Sequence, residues 1–257
     1  MIAGAVIDKA RVTASFAAAA DHYENAAAAQ DAAAAMLAER VLSEPPPPGA
    51  RILEIGCGTG LLTRRLLPRL KGAWQVTDIA PAMVAKAAET VGEGAVFRVM
   101  DGEAPDIAPA SLDLIVSNLA VQWFADLSAG LRGLARCLAP DGRMVLTLPG
   151  RNSFVEWRHA LAAVGAPCGM PVQPNAAEVE QVLSGHGRAR VVAEPIVLRY
   201  ADGRAFLRGL KTIGAAIPVA DHRPAHAGAV RRALAAMGSP CAVTHEILTV
   251  DYRTGPG

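Results

Sequence analysis

The sequence predicts an α/β protein built on a doubly wound, mostly parallel sheet of seven strands. A helical cap precedes the sheet and a small helical insertion comes ahead of the last strand. Three observations carry this expectation. A proline run isolates an alanine-rich helical segment at the amino end. Between Arg51 and Leu148, five short apolar runs alternate with helical periodicity, the order that places a parallel sheet between two helical layers. After Pro149 the order changes, and two further strand signals enclose two helical ones.

Residues 9–42 read as helix. Alanine, the best helix former, dominates. Val12, Phe16 and Ala19 or Ala20 recur at the spacing of one helical face, as do Met36, Leu37, Val41 and Leu42. Pro45-Pro46-Pro47-Pro48-Gly49 stops the helix, because proline lacks an N–H and restricts the residue before it. Strands are expected at 51–55, 74–79, 95–100, 112–117 and 143–148, with helices at 61–70, 81–91 and 127–138 between them. Pro81 suits a first helical turn. Beyond Pro149, helices are expected at 154–164, 176–183, 205–213 and 227–237, and strands at 191–200 and 243–252. This gives a cap over residues 1–44, a core from 50–200 and 241–253, and an inserted helical lid over 201–240.

Composition excludes several classes. Hydrophobic residues make up 52% and charged residues 19%, which supplies a core and argues against disorder. The formal net charge of +1, from 25 Lys and Arg against 24 Asp and Glu, disfavours bulk nucleic-acid binding. Every long apolar run is interrupted by charge, whereas a membrane span needs about 20 apolar residues. The first residues carry too short an apolar stretch for a secretory signal. Cys57, Cys137, Cys168 and Cys241 form no C-x-x-C pair, so neither a disulfide framework nor a metal site is expected, and a reducing cytoplasm is. A monomer is expected.

The chemistry concentrates in Glu54-Ile55-Gly56-Cys57-Gly58-Thr59-Gly60, which follows a strand and opens a helix. Glycines at such a turn allow close backbone approach to a ligand at the strand ends. The dinucleotide fingerprint would need Gly or Ala at position 61, where this chain has Leu61, so a dehydrogenase is disfavoured. The G-x-G-x-G spacing with an acid two residues ahead resembles motif I of class I S-adenosylmethionine-dependent methyltransferases, whose sheet is Rossmann-like. That cofactor carries an ammonium and a sulfonium rather than phosphates, so carboxylates are wanted nearby. Glu54, Gly56, Gly58 and Gly60 are then cofactor-binding. Asp78, at the end of the second strand, can accept both ribose hydroxyls. The resemblance sets Asp101 opposite the adenine amino group, with Gly102 or Glu103 giving backbone contacts, Met83 near the adenine, and Ile79 and Asn118 also against the cofactor.

The acceptor is approached through Ser117-Asn118-Leu119-Ala120-Val121-Gln122-Trp123-Phe124. This segment lacks an Asp-Pro-Pro-Tyr-like motif and places no Cys or His as nucleophile or base. An acceptor that is already anionic needs no base, and free carboxylates ionise near pKa ~4. Nearly the whole chain resembles the BioC-type malonyl-acyl-carrier-protein O-methyltransferases of biotin synthesis. The matching segments are Ser15-Phe16 through Ala20, His22-Tyr23, Asn118 to Trp123, and Leu207-Arg208-Gly209-Leu210-Lys211-Thr212-Ile213-Gly214-Ala215. The last strand departs from the family pattern, with His245-Glu246 after Thr244 where a Tyr is common. The resemblance implies methylation of the free carboxylate of a malonyl thioester on an acyl carrier protein, or on coenzyme A. Tyr23 would lie over the cofactor, its hydroxyl orienting the carboxylate or the cofactor, Gln122 and Trp123 would line the acceptor cavity, and Lys211 and Arg208 would attract the carboxylate or the carrier's phosphopantetheine. Arg204, Arg208 and Arg223 would meet the acidic carrier, since residues 186–257 hold 10 Lys and Arg against 5 Asp and Glu. Two other readings stay open: a carboxyl methyltransferase for another small acid, and an assembly factor of the same fold acting through protein contacts.

Overall fold

The computed structural model describes residues 7–185, 187–219 and 222–255. Its strands are β1 (Ala50–Ile55), β2 (Gly72–Asp78), β3 (Ala95–Val99), β4 (Leu112–Asn118), β5 (Leu138–Pro149), β6 (Gly187–Tyr200) and β7 (Cys241–Thr254). They form one seven-stranded sheet in the order β3-β2-β1-β4-β5-β7-β6. The first five strands run parallel, and β7 is antiparallel to both β5 and β6. The winding reverses between β1 and β4, and ligands of such sheets bind in the crevice beyond the carboxyl ends of the strands there.

The helices are α1 (Lys9–Ala19), α2 (Ala28–Leu42), α3 (Thr63–Leu66), α4 (Pro81–Val91), α5 (Leu127–Cys137), α6 (Val155–Ala163), α7 (Ala176–Leu183), α8 (Gly203–Thr212) and α9 (Ala227–Ala236). The two faces of the sheet bury separate cores, as period-two alternation in buried strands requires. Ile52, Val76, Leu114 and Val116 pack with Leu37 and Val41 of α2, Trp157 and Leu161 of α6, and Phe206 and Leu210 of α8. Leu53, Ile115, Leu146 and Leu148 pack with Leu131 and Leu134 of α5 and Val179 and Leu183 of α7. Burying each such side chain contributes about 1.5–3 kcal/mol. One ionic lock joins α2 to the sheet. Arg143, only 4% exposed, donates from Nε and Nη2 to Asp251 at 2.9 and 2.8 Å, and to the carbonyls of Glu44 and Arg40 at 2.6 and 3.2 Å. Removing one partner of a buried pair like this costs about 3–5 kcal/mol.

Two expected helices differ. The run over 9–42 is broken: α1 stops at Ala19, a 3₁₀ turn covers Tyr23–Ala26, and α2 starts at Ala28. Alanine propensity is overridden by tertiary bonds, since Glu24 accepts from Thr59 Oγ1 at 2.8 Å and from Arg64 Nη1 at 2.9 Å. The helix expected at 61–70 shrinks to α3, because Pro68 has no N–H to give the carbonyl one turn back. The last two strands are longer than expected. They form an antiparallel ladder from Gly187↔Thr254 to Tyr200↔Cys241, and α8 and α9 lie in the chain between them.

Candidate functional site

Two cavities abut at the carboxyl ends of the parallel strands, and Leu119 and Trp123 line both. The first is lined by the turn after β1, the tips of β2 and β3, the segment after β4, and Lys9, Val12, Phe16 and Tyr23 from the amino-terminal helical region. Of the ten residues expected to hold the cofactor, Glu54, Gly56, Gly58, Asp78, Ile79, Met83, Asp101, Gly102 and Asn118 line it.

The glycine turn has three distinct physical roles. Gly58, at φ +54°, has open space where a Cβ would stand and leaves a cradle at the cavity wall. Gly56, at φ +67°, lets the turn close on the chain beyond β4, because a Cβ there would lie 2.2 Å from that of Ala120. Gly60 does not line the cavity. A Cβ on it would meet Val91 at 2.8 Å, so it packs the turn onto α4 rather than contacting a ligand.

Two acids sit at adjacent strand tips without an ion-pair partner among the described residues. Asp78, 9% exposed, accepts from the N–H of Gly58 at 3.0 Å and of Ala80 at 2.9 Å. Burial pushes its carboxyl above the usual carboxylate range, and those N–H groups only partly oppose this. Glu54, 1% exposed, accepts from Thr63 Oγ1 at 2.8 Å. Burial pushes its carboxyl to about 8; the Thr63 bond opposes the shift and Asp78 adds to it. A cationic ligand would relieve both shifts. Burial, with Asp78 and Glu54 nearby, also raises the Cys57 thiol, so no nucleophilic thiolate stands in the turn. The half-buried Tyr23 hydroxyl is likewise pushed up, by burial and then by Asp78, and stays protonated as a donor. These residues fit S-adenosylmethionine: buried acids for its cations, a strand-tip acid for its diol, and apolar Met83, Ile79 and Phe124 around the rest.

Two expectations are modified. The Asp101 carboxylate is taken by Lys9, whose Nζ lies 2.6 Å from Asp101 Oδ2 and 2.5 Å from Glu103 Oε2. Glu103 accepts in turn from the N–H groups of Ala125 and Asp126. The Asn118 amide is spent within the fold, donating to the Gln30 carbonyl at 3.0 Å and accepting from Thr147 Oγ1 at 2.8 Å. Next to it, Leu119 adopts φ +50° at the wall between the cavities, a conformation that costs a non-glycine residue about 1–3 kcal/mol and gathers at functional sites. Trp123 meets Phe16 of α1 edge-to-face with ring centroids 5.6 Å apart.

The second cavity is bounded by α6, α8 and the chain on either side of them. Gln122, Trp123 and Lys211 line it; Arg204, Arg208 and Arg223 are exposed and line neither cavity. The side-chain oxygens of Gln30 and Gln122 are buried here without a partner among the described residues. Sequence reasoning missed Lys9, Arg158 and the site role of His245. His245 fills the family's departure: it is buried, edge-on to Phe154 at 5.0 Å, and 3.3 Å from the Tyr200 hydroxyl. Burial lowers its pKa to about 4 despite Glu156, so the ring is neutral at physiological pH. No Asp or Glu among the described residues lines this cavity.

Comparison with known proteins agrees with the geometry. Residues 53–146 match a methyltransferase domain. The chain is 44% identical over 220 residues to the biotin biosynthesis bifunctional protein BioCD of Bordetella avium, covering 85% of this chain and 47% of that protein; it thus spans about half of that relative's length. It is 36% identical over 190 residues to the malonyl-[acyl-carrier protein] O-methyltransferase of Magnetococcus marinus, covering 72% of this chain and 70% of the relative. Among solved structures, the YcgJ protein of Bacillus subtilis shares the fold with a TM-score of 0.63 at 17% identity, covering 86% of this chain and 98% of that one. Glycine turn, strand-tip acids and these relatives converge: the chain belongs to the malonyl-[acyl-carrier protein] O-methyltransferase family.

Proposed function

We propose that the chain uses S-adenosylmethionine to methylate the free carboxylate of a malonyl thioester carried by an acyl carrier protein, the step that masks a charge early in biotin synthesis. One observation carries this reading. Of the two abutting cavities, the first presents the unpaired Glu54 and Asp78 beside the Lys9–Asp101 pair, and the second presents Arg158 and Lys211 with no acid among the described residues. A cationic cofactor suits the first and an anionic acceptor the second. When bound, the cofactor supplies an electrophilic methyl group that a carboxylate oxygen takes by in-line displacement, with no proton to move. The protein's own work is positioning and exclusion of water. Leu119 and Trp123 form the apolar wall across which the reactants meet, and Phe16 and Tyr23 cover the cofactor side. Tyr23, held protonated, donates rather than accepts, which suits a carboxylate acceptor. Residues 1–44 act as the cap and 201–240 as the lid. Exposed Arg204, Arg208 and Arg223 meet the acidic carrier.

The test uses purified protein and methyl-labelled cofactor with malonyl-carrier, acetyl-carrier, malonyl-coenzyme A and free malonate. Base-labile label on the malonyl carrier and none on the acetyl carrier is the expected result. Label on none of them, with cofactor still bound, overturns the acceptor assignment.

A further inference from the structure

Arg158, on α6, lines the second cavity among Phe154, Trp157, Leu161 and Leu207. The residue is half-buried and its guanidinium is held from one side, with Nε donating to the Ser153 carbonyl at 3.2 Å and Nη2 to the Pro171 carbonyl at 3.1 Å. Nη1 is uncommitted, and no carboxylate pairs with the group among the described residues. Nearby acids are engaged elsewhere: Glu156 accepts from Thr244 Oγ1 at 2.6 Å, and Glu178 pairs with Arg151 at 2.7 Å. A cation fixed by two neutral carbonyls in an apolar wall is an incomplete arrangement, because partly buried charges are normally paired. The other cations are placed differently. Lys211 is exposed at the rim on a flexible stem, and Arg204, Arg208 and Arg223 face solvent.

We propose that Arg158 is the group that recognises the reacting carboxylate, pairing through its free N–H edge with the oxygen that does not attack, while Lys211 at the rim draws the anion in. This rests on the carboxylate acceptor proposed above. The planar guanidinium supplies what an ammonium does not, N–H donors held in one plane and in a fixed direction, so that one carboxylate oxygen is gripped while the other is left to attack. The proposal also sets a preference. A malonyl thioester carries the anion and its methyl ester does not, so the same cation that holds the substrate loses its partner when the ester forms.

The test measures binding of malonyl-pantetheine and of its methyl ester to protein saturated with S-adenosylhomocysteine. Wild type is expected to prefer the acid by tenfold or more. R158Q should bind both alike and show a raised KM for the malonyl thioester, with cofactor affinity unchanged; R158K should keep part of the preference. A role limited to clamping the Pro171 carbonyl would weaken acid and ester equally, so an unchanged preference in R158Q overturns the proposal. Should R158Q fail to bind cofactor, R158K decides: full wild-type preference there overturns the proposal too. Absence of methylation by the wild type overturns the acceptor reading and this proposal with it, whereas methylation with an unchanged R158Q preference overturns this proposal alone.

Discussion

At the scale of single residues, Glu54 makes a prediction that Asp78 alone would not. Its carboxyl, buried and beside a second acid, titrates near 8, so at pH 7 it holds a proton. A bound cation stabilises the ionised form and displaces that proton. The direction follows from linkage: below about pH 8 the free protein carries a proton that the complex lacks, so cofactor affinity rises as pH climbs toward about 8 and levels off above it. Calorimetry at pH 7 in two buffers of different ionisation enthalpy is expected to show proton release on cofactor binding, and E54Q to abolish it. Release that survives in E54Q would assign the proton elsewhere. Glu54 and Asp78 were legible in the sequence because both end short apolar runs at a fixed distance from a glycine turn. Arg158 was not, because its cavity is assembled from segments around 120, 150–173 and 207–225, and nothing local marks a half-buried guanidinium.

At the scale of elements, α1 forms one wall of the site, with Lys9, Val12 and Phe16 lining the first cavity. Lys9 at its start pairs with Asp101 and Glu103, Ser15 Oγ donates to the Gly214 carbonyl at 2.8 Å, and Phe16 rests on Trp123. Gly214, at φ +75°, permits this approach, since a Cβ there would lie 2.9 Å from the Ser15 carbonyl oxygen. One helix therefore touches the strand tips, the wall between the cavities and the segment after α8. The Lys9 pairs are part-exposed and contribute about 1 kcal/mol or less. K9A is accordingly expected to speed cofactor release by up to about fivefold in a stopped-flow chase. Added salt should speed release in wild type and leave K9A unchanged; equal salt sensitivity in both would remove Lys9 from the latch. The position of α1 was not readable from its composition. Alanines favour helix straight through residue 27, and the break depends on Glu24 finding Thr59 and Arg64, some 35 and 40 residues further along the chain. The alternating strands and helices over 51–148 were readable, because each buried strand carries its own apolar run and each turn its own glycine or proline.

At the scale of the whole molecule, charge is distributed unevenly although the total is +1. Residues 186–257 carry a net +5, from 10 cations and 5 acids, and Arg204, Arg208 and Arg223 of this region are exposed. Such a surface raises the rate of encounter with an acidic partner and is screened by salt. The triple variant R204Q/R208Q/R223Q is expected to raise KM for malonyl-carrier severalfold while leaving malonyl-pantetheine unaffected; equal losses on both would place these arginines in the cavity's chemistry instead. The sheet has a further consequence. Because β7 runs antiparallel to β5, Arg253 lies beside Arg143 near the start of the β5 ladder, at the end of the sheet remote from both cavities. Lys9, by contrast, stands against Asp101 at the cavity mouth. Polypeptide grafted after Thr254 departs from the end of the sheet remote from the cavities, whereas polypeptide grafted ahead of Lys9 begins beside a residue that lines one of them. For fusions, affinity handles and surface immobilisation, the two attachment points are thus not equivalent, and the carboxyl side is the one farther from the cavities.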